Sequence, residues 1–370
     1  GRKYVVSLMK KAGLEVTIDA AGNIIGKRKG KNNDLPSIAF GSHIDSVPGG
    51  GNFDGDVGSL GAIECIELMN EHHIITEHPL EVLVFQNEEG GLVGSEAISG
   101  ILTENELSLV SNSGKTLGQG MKDIGGDPGR FHEAARKKGD FKAFLELHIE
   151  QGGFLDREGV NIGVVEGIVG IKQWMVTFLG KANHAGTTPM DQRQDAMLAA
   201  ARFVVEANRI ARSIPGRQVV TNGKIKALPG APNVIPGKVE MTLEIRDLDF
   251  EKVLSIFEKI KTAAKDIATG TGVAISYAEL NEDIPAQTDS RIQSLIAGSA
   301  KELGLTTKFM PSGAGHDTQN MARIAPVGMV FVPSKDGISH SPKEFTSAQD
   351  MANGASVLLQ TILKLDKVKL

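Results

Sequence analysis

The sequence predicts an α/β protein with a smaller α+β domain inserted into it, and three observations lead there. At 370 residues the chain is too long for one core, since a domain usually takes about 100–200 residues. Its two ends alternate apolar strand patterns with helical ones, and each strand stops at polar residues. That is the pattern of an α/β sheet that gathers ligands at its strand carboxyl ends. Its middle follows the order β-α-β-β-α-β, the mark of a small open-faced sandwich. The outer domain is therefore assigned to residues 1–167 and 284–370, and the insert to 168–283.

The elements follow in order. Residues 4–13 read as a helix that closes near Gly13, a natural helix end. Val16–Ile18 and Asn23–Lys27 read as strands around an Ala-Gly turn, and Ser37–Ser42 as a short apolar strand running into His43. Gly58–Glu71 carries Leu60, Ile63, Ile66 and Met69 at near-helical spacing. Leu80–Gln86 is a buried strand that ends at Asn87-Glu88-Glu89, and Ala143–Ile149 is another that contains His148. In the insert, Val164–Leu179 is strand, 195–212 helix, Val219–Ile225 and Lys238–Arg246 strands, 250–269 helix and Gly272–Leu280 strand. Residues 289–304 and 327–332 then resume the outer alternation.

Composition narrows the class. Hydrophobic content of 41% and charged content of 23% are those of an ordinary globular protein. No apolar run approaches the ~20 residues of a membrane helix, so no membrane is expected. Net charge is −5, and the short basic run Lys27–Lys31 reads as a solvated hairpin tip, so no nucleic-acid partner is expected. Cys65 is the single cysteine. It excludes an intrachain disulfide and a Cys-rich zinc site, and it fits a reducing, cytoplasmic compartment. Any metal must be held by histidines and carboxylates. No signal peptide is visible; the chain opens at Gly1 inside an amphipathic pattern, which predicts that further residues precede it.

Of nine histidines, His72, His73, His78 and His132 stand in polar helix-end or loop contexts and read as surface. His43, His148, His184, His316 and His340 each stand at a strand end or in a Gly/Ser-rich turn. Asp45 lies two residues after His43, on the same side of an extended chain. It is placed to hold the second ring nitrogen, as metal-binding histidines require, or simply to pair with it. Asp54 follows Gly49–Gly51 and is either a ligand or an N-cap of the next helix. Glu88 and Glu89 are adjacent acids at a strand end. They fit one cation ligand and one proton shuttle, or a solvated acidic turn. Glu146 and His148 share one side of a strand, with Gln151 just beyond, and His340 sits in a tight turn near the end of the chain. Together these make the inventory of a binuclear site for Zn²⁺, Mn²⁺, Ni²⁺ or Co²⁺.

The strings GSHIDSVPGGGNFDGDVG, NEEG, ELHIEQG, NHAGTTPMDQRQDA, APNVIPGKVEMTLEIRD, SGAGHD and GISHSP occur in this order, and the chain resembles the hydantoinase/carbamoylase amidases over nearly its whole length. The resemblance implies a metallopeptidase-like catalytic domain with a mixed central sheet, and a ferredoxin-like lid that also forms a homodimer. It implies two divalent ions per subunit, with His43, Asp54, Glu89, His148 and His340 as ligands and Asp54 bridging. Glu88 is implied as general base, with Asp45 orienting His43. His184 is implied to reach across the dimer to a developing oxyanion. Asn233 and Arg246 are implied as substrate contacts, with Arg246 gripping a carboxylate by a bidentate fork. Gln151 is implied to bind the ureido group, and His316 to stand close by. A non-proline cis bond is implied after Asp54.

The activity so implied is hydrolysis of an N-carbamoyl-L-amino acid, a small carboxylate, to amino acid, CO₂ and ammonia. Allantoate amidohydrolase and β-ureidopropionase activities are alternatives, with N-acyl-amino-acid or dipeptide hydrolysis further off. Two departures bear on the substrate. Gly91-Leu92-Val93-Gly94-Ser95 stands where many relatives carry Arg-Phe and a longer loop, and Asp56 stands where small or neutral residues are commoner.

Overall fold

Ser37–His43, Leu80–Phe85 and Val327–Val332 are buried along their whole length, and Phe141–Ile149 at every position but Lys142. Runs without polar alternation belong to parallel strands covered on both faces. These four lie side by side and parallel at the centre of the larger unit. The computed structural model describes every residue except Asn112, and it divides into residues 1–168 with 286–370, and residues 169–285.

In the larger unit the nine-stranded sheet runs Glu15–Ile18, Ile24–Arg28, Leu80–Phe85, Ser37–His43, Phe141–Ile149, Val327–Val332, Ile162–Ile168, Ala286–Gln287, with Thr307–Ser312 also pairing Ile162–Ile168. The sheet is mixed, because Ile24–Arg28 and Ile162–Ile168 pair antiparallel with the parallel centre. Helices Asp56–Glu71, Ser290–Glu302 and Ala348–Leu365 form one core with the sheet through Ile66, Met69, Ile292, Ile296, Leu358 and Ile362. A second core gathers Phe85, Phe144, Ile98 and Met321. Since the four central strands share one direction, their carboxyl ends lie along one edge of the sheet. No helix is long and apolar enough to cross a membrane, among the described residues.

The smaller unit is an antiparallel sheet in the order Ile225–Leu228, Lys238–Asp247, Gly170–Leu179, Ala274–Asp283. Lys238–Asp247 alternates half-buried and buried positions along its length, as a strand with one covered face must. Helices Ala196–Ser213 and Phe250–Thr271 supply the cover through Phe203, Ala207, Ile256 and Ile260. Asp195 caps the first by accepting from the backbone N–H of Met197 and Leu198, and Asp249 caps the second by accepting from that of Lys252. One expected strand divides: Val219–Ile225 is instead Val219–Thr221 and Ile225–Leu228. Asn222 leaves the ladder to donate its amide to the Thr242 carbonyl, and the Lys224 N–H donates to the Thr242 hydroxyl. The side chains there offer the backbone an alternative to sheet pairing.

Trp174 stacks on Phe257 with ring centroids 3.8 Å apart, and it is the only tryptophan. Its fluorescence therefore reports on the smaller unit. Phe257→Ala is expected to lower the stability of that unit by about 3–5 kcal/mol, read as an earlier urea transition of the tryptophan signal. An unmoved transition would show that the stacked pair carries no packing energy.

Candidate metal centre

Every candidate ligand but Asp54 follows or closes a central strand. His43 closes its strand, and His148 stands one residue before the end of its own. Glu88 and Glu89 follow the strand Leu80–Phe85 through Gln86 and Asn87, whose φ of 53° turns the chain sharply. Asp54 lies in the turn before helix Asp56–Glu71. His340 lies in the loop after Val327–Val332, also left-handed at φ 53°. Such backbone costs about 1–3 kcal/mol per non-glycine residue and gathers at functional sites.

The sequence leaves Asp54 open between ligand and N-cap. The N-cap position belongs to Gly55 and makes no side-chain cap, while the Asp54 carboxylate points at histidines. The peptide after Asp54 is trans, contrary to the expected cis bond; the one cis bond among the described residues is Leu228–Pro229. Gly55 at φ 69° makes the turn instead. A side chain there would collide with the His43 ring at 2.4 Å.

Asp54 faces two sets of donors. Its Oδ1 lies 3.1 Å from His148 Nε2 and 3.5 Å from His43 Nε2, and the two ring nitrogens are 3.4 Å apart. Its Oδ2 lies 3.3 Å from His340 Nε2, which is 3.5 Å from Glu89 Oε2. In each set, His43–Asp54–His148 and Asp54–Glu89–His340, the ligand atoms lie within 4.8 Å of one another. The first set is buried and the second is open at His340, whose side chain is 50% exposed.

The donor chemistry fits cations. His43 Nδ1 lies 3.0 Å from the Asp45 carbonyl, and His148 Nδ1 lies 2.9 Å from the Ile149 carbonyl. A carbonyl only accepts, so both Nδ1 atoms carry hydrogen, which leaves Nε2, facing Asp54 Oδ1, as the atom of each ring that can bind a cation. The Gly55 N–H donates to His148 Nε2. Burial alone would push His43 down, but the hydrogen bond to Asp54 and the charges of Glu88, Asp317 and Asp45 lift it well above its ordinary value. Burial lowers His148 too, and Asp54 and Glu146 outweigh it upwards. Asp54 is held well below the carboxylate range, because the two imidazoles outweigh its burial. Nitrogen and oxygen donors around a shared carboxylate suit Zn²⁺, Mn²⁺, Ni²⁺ or Co²⁺.

Glu88 is buried, with Oε2 3.8 Å from His43 Nε2. Its carboxyl is lifted well above the usual range, first by burial, then by the charges of Asp317, Glu146 and Glu89 against the pull of His43. Asp45 acts differently from the expectation. Its carboxylate lies 3.9 Å from His43 Nδ1, and the ring nitrogen is served by the Asp45 carbonyl. The carboxylate accepts instead from the backbone N–H of Glu88 and of Glu89, at 3.2 and 3.1 Å. Two N–H donors in a turn hold a carboxylate better than one distant ring, so Asp45 places both acids.

Gln151 donates from Nε2 to Asp54 Oδ2 at 2.6 Å and lies 3.4 Å from His340 Nε2. His316 is 1% exposed, packs edge-on against the His148 ring at 4.5 Å and meets Ser312 Oγ through Nε2. Burial and the neighbouring His148 keep it well below its ordinary value. It therefore stands buried against the His148 ring as a neutral imidazole. His184, Asn233 and Arg246 belong to the smaller unit. His184 pairs with Val234 across a two-residue ladder, and the Ala185 N–H donates to the Asn233 carbonyl. Arg193, which sequence reasoning missed, pins this turn by donating to the carbonyls of Ala185 and Thr188. Arg246 donates from Nε to Glu244.

Two further acids stand behind the ligands: Glu146, which the sequence places beside His148, and Glu344, which escaped it. Glu146 is buried and accepts from the hydroxyls of Ser42 and Thr318 and the Thr318 N–H. Glu344 accepts from the Phe53 and Asp54 N–H groups. Its one signal is an acid shortly after His340 in the same turn.

The family profile described as Peptidase family M20/M25/M40 matches residues 39–364. The N-carbamoyl-L-amino acid amidohydrolase of Geobacillus stearothermophilus is 42% identical over 369 residues, 98% of this chain and 90% of that protein. The ureidoglycolate hydrolase of Arabidopsis thaliana is 39% identical, over 98% of this chain and 79% of that protein. Among solved structures, a hydantoinase/carbamoylase family amidase from Burkholderia multivorans superposes with a TM-score of 0.92 at 35% identity, over 100% of this chain and 90% of that one.

Chelator-treated protein is expected to gain stability when Zn²⁺ or Mn²⁺ is restored, by about 2.7 kcal/mol for each ion bound at a hundredfold excess over its dissociation constant. In Asp54→Ala the gain should vanish; in His340→Ala part of it should remain, from the buried set. Calorimetric unfolding checks both, and equal gains in all three proteins would remove these residues from metal binding.

Proposed function

We propose that this chain, which belongs to peptidase family M20/M25/M40 as one of its hydantoinase/carbamoylase amidases, hydrolyses the ureido bond of N-carbamoyl-L-amino acids. The observation that carries the reading is Glu88: a buried carboxyl, lifted well above its usual range, beside two ligand sets that share one carboxylate. Held by His43, Asp54 and His148 on one side and by Asp54, Glu89 and His340 on the other, two divalent cations would acidify a water and polarise the ureido carbonyl.

Glu88 takes the proton of that water as its oxygen bonds to the carbamoyl carbon. The raised carboxyl holds the proton and passes it to the amino-acid nitrogen as the C–N bond breaks. The carbamic acid released falls to CO₂ and ammonia. Asp45 keeps Glu88 and Glu89 in register, and Gln151, freed from Asp54, has an amide to offer the ureido group. We extend the reading to His184, Asn233 and Arg246 as the substrate-facing residues of the smaller unit, with His184 serving the oxyanion and Arg246 the carboxylate. The unit also leaves Val205 70% and Ile225 54% exposed, which supports a homodimer formed through it. Cys65, buried and alone, is compatible with a cytoplasmic setting.

A second reading, in which the ureido compound is ureidoglycolate or allantoate, is favoured by the 39% identity with the Arabidopsis ureidoglycolate hydrolase and the 36% identity with the allantoate amidohydrolase of Bacillus subtilis. A turnover panel of N-carbamoyl-L-amino acids, N-carbamoyl-β-alanine, allantoate and ureidoglycolate separates the two. The first reading expects the highest kcat/KM for an N-carbamoyl-L-amino acid; preference for allantoate or ureidoglycolate selects the second, and no turnover of any by metal-loaded protein defeats both.

Glu88→Gln is expected to keep its metal and lose about 10²–10⁴-fold in kcat. His184→Ala should likewise keep its metal and lose about 10²–10³-fold. Metal analysis beside steady-state kinetics checks both, and near-wild-type kcat in either variant removes that residue from the reaction.

A further inference from the structure

The loops that carry Asp54 and His340 lie far apart in the chain, and one side chain joins them. Glu344 is 5% exposed. Its Oε1 accepts from the backbone N–H of Phe53 at 2.9 Å and of Asp54 at 3.0 Å. Its Oε2 lies 2.7 Å from the hydroxyl of Ser339, the residue before His340, and that hydroxyl lies 3.0 Å from Asp54 Oδ2. One hydroxyl proton therefore serves both carboxylates. A buried carboxylate is tolerated where such donors replace water. The approach also needs Gly51, where a side chain would meet Glu344 Oε1 at 2.2 Å.

We propose that Glu344 is a positioning residue that holds Asp54 and His340 in register, and so governs the Asp54–Glu89–His340 set more than the His43–Asp54–His148 set. The asymmetry follows from how each set is anchored. His43 and His148 stand on central strands, and each ring is fixed by a backbone carbonyl. His340 stands on a loop with left-handed backbone, half exposed, and Asp54 stands in a turn. The loops of these two ligands meet at Glu344. Residues that orient metal ligands typically govern affinity by about 10–100-fold.

The inference rests on the two-metal reading, and the test separates them. Metal-free protein is titrated with Co²⁺ and followed by visible absorption, with metal content and circular dichroism alongside. Wild type should take two ions. Glu344→Ala should take the first with unchanged affinity and the second about 10–100-fold more weakly. Glu344→Asp, which keeps the charge but falls short of the N–H groups, should behave alike. Glu344→Gln should restore the second ion, because its amide oxygen accepts from Phe53 and Asp54 and its NH₂ faces Ser339. Should Glu344→Ala unfold, Glu344→Asp and Ser339→Ala carry the test, each with a weakened second ion. Two ions bound as in wild type by the Ala and Asp variants, or by Asp and Ser339→Ala where Ala is unfolded, would overturn the inference alone. So would rescue by Asp but not by Gln, which would make the effect one of charge. A wild type that takes fewer than two ions would overturn the two-metal reading and this inference with it.

Discussion

The carboxylate of Asp54 is the constraint on which the centre depends. It is 5% exposed and faces three imidazoles. An ion buried this deeply costs several kcal/mol unless charge and hydrogen bonds compensate. The compensation is divided by oxygen: Oδ1 has His43 and His148, and Oδ2 has His340, Gln151 and Ser339. The backbone of the same residue is held separately by Glu344. Asp54 thus has partners on the strands and on the C-terminal loop at once, and its two oxygens point to different ligand sets.

The sheet makes that arrangement possible. Four parallel neighbours deliver His43, Glu88 with Glu89, His148 and the loop of His340 to one edge. Parallel strands need crossovers, so the ligands are separated in the chain by whole helices and, between His148 and His340, by the entire smaller unit. The helix Asp56–Glu71 starts directly beneath and packs closely enough that Gly58 approaches the Leu147 carbonyl, where a side chain would lie 2.0 Å away. The core that buries this helix also fixes the turn that holds Asp54.

Behind the ligands lies an unusual density of acid. Glu88, Glu146 and Asp317 are all buried. Burial and the neighbouring Glu146 lift Asp317 well above the usual range, against the pull of His43. Such closeness opposes ionisation of Glu88 and of Asp317. It leaves Glu88 a carboxyl that holds its proton more tightly than a solvated one. The same physics explains the neutral His316 among charged neighbours, since burial and the adjacent His148 oppose its protonation.

Sequence by itself determined the elements whose residues are self-sufficient. The continuous apolar runs at 37–42, 80–86, 143–149 and 327–332 announced buried strands, and the alternation at 238–246 a one-sided one, because burial is imposed residue by residue along a strand. It also supplied the types of side chain at the strand ends. The tertiary structure alone decided how those side chains divide, since a pairing across a sheet edge leaves no mark in local pattern. The division of the Asp54 oxygens between two sets is of this kind. So is the choice of Asp45 to serve His43 by its carbonyl and the Glu88–Glu89 turn by its carboxylate. The break at Asn222 depends on the carbonyl of Thr242, twenty residues on, and on the hydroxyl of the same residue, which takes the Lys224 N–H. Glu344 was hidden most deeply: its partner at Asp54 is a backbone N–H 290 residues away, and every residue offers the same backbone group, so only the folded chain can select which one a distant carboxylate will hold.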